Sequence, residues 1–451
     1  MQREGRKRTF AERKATSVRP KGRKRTFAER KATIPERTAH EVSLHLVPID
    51  SEDTMSEGKT SRQILEEALL AQFDDLATHS AYADLLMEEG DPRGEFIQLQ
   101  IALDNSNRPH RELETMRVRA SEIRFAHERE WLGQLATHLM PPRRSGRVDP
   151  VEPNCTYGWM RGWLGRLSIF SLNARLVEAF ATAPELRMLQ ELSIAQTRDV
   201  QRPAPDLTAW IESPYFHRLR MFRLGDPEQA NCTAEGSQAV ALVTKSASTL
   251  ERLELLAEHT DTASLFTLAM RNLRELRVDY ADRYPLDLLA MNSGLRKVER
   301  IAFDPRPEYR TPVEGQEMEL ATTSLEEIRA FCHAPQWEKL NYLRIRLTGS
   351  GDMFCEELVR SGLLQRLKNL DLCQTGMTDE GARILAECHN TANLKQLDVQ
   401  GNQLSVTAVE QLMDLDIKVH AAYQMGNMMP PDGNAGIGFG GGGIDVQIED
   451  I

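Results

Sequence analysis

Apolar residues recur along this chain in two different rhythms. Between residues 61 and 130 they fall three and four apart, the spacing of one helical face. Ile64, Leu65, Ala68, Leu69 and Phe73 predict a helix over Ser61–Phe73, and Tyr82, Leu85 and Leu86 a second over Ser80–Glu89. Gly90 suits the position just past that helix. Asp91 as N-cap and Pro92 at the first helical position open a third helix that buries Phe96, Ile97, Leu99 and Leu103. A long charged helix is expected from about Arg111 to Glu130.

From residue 164 onward the rhythm changes to rows of the form L-x-x-L-x-L. They begin at Leu164, Leu189, Leu219, Leu250, Leu273, Val298, Leu340, Leu367 and Leu394, mostly 23 to 31 residues apart. The interval from Val298 to Leu340 is 42 residues and is expected to hold an insertion or a degenerate unit around Leu325. Each row reads as a short strand whose apolar residues point inward and whose intervening residues line the opposite face. In the last two units a helix follows: Thr378 can cap it, and Ile384 and Leu385 fall on its buried side. Such a unit cannot bury its own apolar face, so units must stack. Trp159 and Trp163 are placed to cover the first row, and Leu415-x-Ile417-x-Val419 reads as a final short strand.

These rows carry a resemblance. Leu367 to Leu372 and Leu394 to Val399, with their downstream helices, resemble leucine-rich repeats of the ribonuclease-inhibitor-like subtype. Asn402 takes that subtype's asparagine-ladder position, and Thr375 stands there one unit earlier. The string Tyr82-Ala83-Asp84-Leu85-Leu86-Met87-Glu88-Glu89-Gly90-Asp91-Pro92-Arg93-Gly94-Glu95-Phe96-Ile97-Gln98-Leu99-Gln100 resembles the repeat-companion domain, a small bacterial module that precedes such repeats. His127 to Gly133 resembles that module's downstream helix end, while Leu86 stands where the family often has Trp. The resemblance implies an α/β fold: a leucine-rich-repeat solenoid, a curved parallel sheet with helices on its convex side, preceded by a small all-α module. It implies no reaction.

Length and charge divide the chain further. At 451 residues two or more modules are expected. The organisation read here is a disordered basic tail over 1–54, a helical module over 55–150, the repeat array over 151–424 and a flexible Gly-rich tail over 425–451. Residues 1–33 hold 13 Lys/Arg against 3 Glu; the remainder holds 43 Lys/Arg against 64 Asp/Glu. A basic tail on an acidic body argues against nucleic acid as a partner, except through the tail. Gly5–Thr16 recurs unchanged as Gly22–Thr33, and Met55 is a candidate alternative start. Thr9, Thr16, Thr26 and Thr33 each follow an arginine by three residues and are candidate phosphorylation sites. Six widely spaced cysteines without a C-x-x-C pair point to a reduced, cytoplasmic setting. No apolar run predicts a membrane span or a secretory signal.

The chemistry-bearing candidates lie on the concave face. The central position of each row reads Ser168, Ser193, Arg223, Glu254, Arg277, Ala302, Arg344, Asp371 and Asp398, flanked by Arg220, Arg274, Tyr342, Arg346 and Lys368. Arg223, Arg277, Arg344, Arg346, Tyr342, Asp371 and Asp398 are the expected partner-binding residues, with the arginines gripping an acidic protein. The acidic run Asp84, Glu88, Glu89, Asp91 and Glu95 reads as helix capping, with Arg93 as its counter-charge. Gly58-Lys59-Thr60 lacks the upstream glycine of a phosphate-binding loop, His127-Glu128 lacks the second histidine of a zinc helix, and Cys332-His333 and Cys388-His389 have poor spacing for one metal. The expectation is therefore a non-catalytic protein-interaction scaffold without cofactor or metal. Two alternatives stand beside it: a regulatory subunit of a kinase or GTPase with a phosphorylatable tail, and an enzyme with a site across the repeats.

Overall fold

The computed structural model describes residues 59–104, 107–140, 154–197, 204–227, 232, 236–305, 323–346, 349–388 and 393–424. The basic tail with its four threonines, and the Gly-rich segment over 425–451, lie outside the described residues.

Four helices come first: α1 (Ser61–Ala71), α2 (Leu76–Glu88), α3 (Arg93–Leu103) and α4 (His110–Trp131). The stops follow local chemistry. Thr60 and Gln63 form a capping box at the start of α1. Gly90 takes φ +76° just past α2, where a side chain would be strained. The Asp91 carboxylate accepts from the Arg93 amide, so it caps α3 although Pro92 occupies the cap position itself. Leu69, Phe73, Tyr82, Leu86 and Ile97 are buried together. Ile64, expected on the inner face of α1, is exposed.

Eleven strands then form one sheet in chain order. They are β1 (Cys155–Met160), β2 (Trp163–Ser171), β3 (Glu191–Gln196), β4 (Met221–Leu224), β5 (Arg252–Leu256), β6 (Glu275–Asp279), β7 (Arg300–Asp304), β8 (Tyr342–Ile345), β9 (Asn369–Asp371), β10 (Gln396–Asp398) and β11 (Lys418–His420). From β2 onward every pairing is parallel. The row leucines stack in register: Leu167, Leu192, Phe222, Leu253, Leu276, Ile301, Leu343, Leu370 and Leu397 are each paired with the next and are nearly inaccessible. Helices α6 (Ala174–Ala181), α7 (Thr208–Glu212), α8 (Gly236–Ser246), α9 (Thr262–Thr267), α10 (Leu286–Met291), α11 (Leu325–Cys332), α12 (Gly351–Arg360), α13 (Asp379–Glu387) and α14 (Val406–Met413) form a second layer. Short α5 (Ala136–Leu139) precedes the sheet. One apolar core runs from Leu132 to Leu412, as a stack of units without separate cores requires. The arrangement is a repeat-like α/β solenoid.

Three features depart from the sequence reading. Strand β1 was not expected: it pairs antiparallel with β2 through a two-residue turn in which Arg161 and Gly162 have φ of 48° and 80°. Trp163 lies within β2 and packs into the helical module, stacked on Tyr82 at 5.3 Å. Across the 42-residue interval β7 pairs directly with β8, so no further strand of the sheet intervenes there.

Buried polar side chains stitch the units together by two devices. In the C-terminal units the Asn402 carboxamide oxygen accepts from the amides of Thr375 and Met377, each at 3.0 Å, and from the Thr375 hydroxyl at 3.1 Å. Its Nδ2 donates to the carbonyls of Leu372 and Val399. Gln424 repeats the pattern one unit on, donating to Val399 and Ala421. Earlier units use the helix side instead. Ser213 donates to Ala181, Ser246 to Phe216, Asn292 to Phe266 and Leu268, and Gln336 to Leu289 and Ala290. Ser213, Asn292 and Gln336 satisfy carbonyls left over where the preceding unit's helical segment ends, and Ser246 satisfies one in the loop after α7.

Candidate partner-binding face

The open face of the sheet carries the candidate residues, because side chains alternate and the apolar set points at the helices. The central row runs Ser168, Ser193, Arg223, Glu254, Arg277, Ala302, Arg344, Asp371, Asp398 and His420, each in register with the next. Two residues toward the strand starts lies a second row on the same face: Arg166, Glu191, Met221, Arg252, Glu275, Arg300, Tyr342, Asn369, Gln396 and Lys418.

The arginines are not free charges. Arg223 pairs with Glu254 at 2.7 Å, and Glu254 also accepts from Arg252 at 2.6 Å. Arg277 pairs with Asp279 at 2.8 Å. Arg344 and Arg346 both reach Asp371, at 3.2 and 3.1 Å, and Arg346 also holds Asp304 at 3.0 Å. Arg344 and Arg346 are 8% and 7% exposed, which leaves little guanidinium surface for a partner. The flanking rows repeat the pattern. Arg166 pairs with Glu191, Arg252 with Glu275 and Arg274 with Glu299, while Arg300 lies 4.1 Å from the Tyr342 ring centroid. Arg220 bridges to Asp74 in the loop after α1, which also accepts from Arg161. The middle of the face is a cross-strand charge ladder.

Ionisation follows these contacts. Burial pushes the Glu254 carboxyl up, but Arg223 and Arg252 outweigh it and hold the group below its usual range. Burial also opposes the charge on Arg346, yet Asp371 and Asp304 hold it more firmly protonated than a free arginine. Asp398 goes the other way. It is 2% exposed, and burial, reinforced by Asp371 on the neighbouring strand, raises it above the ordinary carboxylate range despite two hydrogen bonds from Gln400. Asp279 is raised by burial, and its Oδ1 has no hydrogen-bond partner.

The donor atoms of Asp371, Cys373 and Asp398 lie within 4.8 Å of one another. Two guanidinium groups already occupy the cation position beside Asp371, so this group reads as part of the ladder. In the helical module, Arg119 holds Glu95 at 2.7 Å, and Arg62 approaches Glu89 and Asp91 at 3.5 and 3.9 Å. Arg93, expected to be the counter-charge there, points elsewhere and stacks on Trp131 and Trp163.

No family model and no curated protein matches this chain. Among solved structures, the chain is similar to the crystal structure of a protein from Bacteroides fragilis, a structural-genomics target. That alignment has 17% identity, covers 55% of this chain and 72% of the other, and has a TM-score of 0.40.

Cationic groups without a carboxylate do exist toward the C-terminal strands, at their starting ends and on the open face. Lys368 and Lys395 lie just ahead of β9 and β10, and Lys418 lies in the second row on β11. All three are exposed, and none forms an ion pair among the described residues. The sequence reading named Lys368 as a flanking residue and missed the other two. Asp279 and Asp304 were missed as well. Their signal was present: each sits two residues past a central position, hence on the same face.

Proposed function

We propose that this chain is a non-catalytic interaction scaffold of the leucine-rich-repeat type, carrying a repeat-companion module, and that it binds an acidic protein segment over the C-terminal third of its concave face. Lys368, Lys395 and Lys418 are the contacts, because these are cations that no neighbouring carboxylate neutralises. Arg223, Arg277, Arg344 and Arg346 have a different role in this reading. They fix the strands and present a pre-organised polar floor, with Tyr342, Asp371 and Asp398 as parts of it. The observation that carries the proposal is the contrast between paired arginines and unpaired lysines on one sheet. The Asn402 network supports the repeat type. The six cysteines, all free thiols and mostly buried, fit a reducing cytoplasm in a bacterial cell.

The test is affinity capture with the full chain, comparing wild type with Lys368→Glu/Lys395→Glu/Lys418→Glu. Arg383→Glu, on helix α13, is the control. Loss of specific proteins only in the triple variant is expected. An unchanged set of captured proteins would overturn the proposal.

A further inference from the structure

A second site lies away from the open face, where the helical module meets the first strands. A cavity of about 170 Å³ is lined by Arg93, Trp131, Trp159, Gly162, Trp163, Leu164, Pro184, Glu185 and Arg187. Its volume matches that of protein cavities that admit a benzene-sized molecule. Three of the chain's five tryptophans line it.

Its polar groups are unsatisfied. Arg93 Nε, Trp163 Nε1, Arg187 Nε and Glu185 Oε2 are all buried without a hydrogen-bond partner. Such groups are rare in folded proteins and mark places where a water, ion or ligand supplies the missing bond. Arg93 is the most exceptional. Its guanidinium lies 5.3 Å from the Trp131 ring centroid and 5.8 Å from that of Trp163. It makes no hydrogen bond or ion pair among the described residues. Arg187 lies 4.7 Å from the other ring contact, Trp163, and its remaining nitrogens hold Glu66 and the Pro184 carbonyl. Trp163 is thus contacted by two guanidinium groups. Burial disfavours the charge on Arg93, and Arg187 adds to that effect.

From this arrangement we infer a binding site for a small oxyanion that carries one O–H or N–H donor of its own. The anion accepts from Arg93, Arg187 and the Trp163 indole, and neutralises a guanidinium that the protein leaves without a carboxylate. Its donor meets Glu185, whose unpartnered oxygen would repel an anion lacking one. Hydrogenphosphate and a small hydroxycarboxylate share this chemistry. Sulfate and chloride lack the donor. The flat indole walls limit the ligand to a size near that of benzoate.

The experiment uses the full chain at constant ionic strength and pH 7. Phosphate, lactate, sulfate and chloride are titrated while tryptophan emission and melting temperature are followed. A saturable shift in both with phosphate or with lactate is expected, and which of the two acts identifies the source. Trp163→Phe keeps an aromatic ring, smaller than the indole, and removes the Nε1–H donor, and should weaken binding about tenfold. Arg93→Met should abolish it. Glu185→Gln should let sulfate bind. Arg93→Met and Trp163→Phe are checked for native circular dichroism; if Arg93→Met misfolds, Trp163→Phe and Glu185→Gln decide alone. Shifts that fail to saturate, no shift with either oxyanion, or equal affinity in Trp163→Phe would overturn the inference and leave the cavity to water.

Discussion

Replacing Asn402 by Ala isolates what the buried amide does between the C-terminal units. The residue is fully buried and makes five hydrogen bonds. Not all five become losses. The Leu372 carbonyl keeps the Thr375 hydroxyl, and the Val399 carbonyl keeps Gln424. The amides of Thr375 and Met377 have no substitute acceptor, so two buried N–H groups are orphaned. Each costs about 1–3 kcal/mol, or about 4 kcal/mol for the pair. Thr375→Val is the comparison, because it removes one hydroxyl and leaves both amides bonded to Asn402; it should cost about 1 kcal/mol. Chemical denaturation measures both variants, and hydrogen exchange reads the Thr375 and Met377 amides directly. If Asn402→Ala costs no more than Thr375→Val, or if those two amides stay protected, the accounting is wrong.

Arg346→Met should destabilise by about 3 kcal/mol, because it strips a buried cation from Asp304 and Asp371 while Arg344 still reaches both. A loss no larger than that of the exposed Arg383→Ala in thermal unfolding would contradict the ladder reading. Asp398→Asn should stabilise the protein at pH 7. The folded group titrates above its unfolded value, so its ionisation costs stability as pH rises through and beyond the ordinary carboxylate range; the gain should vanish below about pH 3.8 in a pH series of denaturation curves. Gly225→Ala should be strongly destabilising, since Gly225 has φ +105° and a Cβ there would lie 2.0 Å from the Leu256 carbonyl oxygen; an unchanged denaturation midpoint would show that the turn relaxes freely.

Much of the sheet was legible because each strand announces itself twice, by its apolar row and by its distance from the last. All nine rows became strands of the sheet, and the central positions align in the order read from the sequence. The helices of the N-terminal module were legible for the same reason, with Gly90 and Asp91 marking the joint. Strand β1 was not: Cys155, Tyr157 and Trp159 alternate with Thr156 and Gly158, but the segment stands outside the L-x-x-L-x-L rows, and its hairpin rests on Arg161, a residue that rarely takes positive φ. The charge state of the face was legible in composition and misread in consequence. Arg223 and Arg344 look like free cations when one strand is read at a time. Their partners sit on neighbouring strands or two residues along, at Glu254, Asp304 and Asp371, and only the register brings them together. The Arg93 cavity had no sequence signal, because its residues come from four separate segments.

The two ends of the sheet differ in a way that bears on how the chain unfolds. At the first end the antiparallel hairpin closes the edge, and the helical module lends its own apolar residues to the same core. At the last end stands β11, three residues long, with exposed Lys418 and no strand on its outer side among the described residues. A stack whose units hold only their neighbours loses order from whichever end is held less. Disorder should therefore advance one way, from β11 backward, and the melting of the last units becomes a graded property that a bound partner can set. If the proposed acidic partner binds at Lys368, Lys395 and Lys418, its occupancy would set how much of the array is folded, as well as what is attached to it.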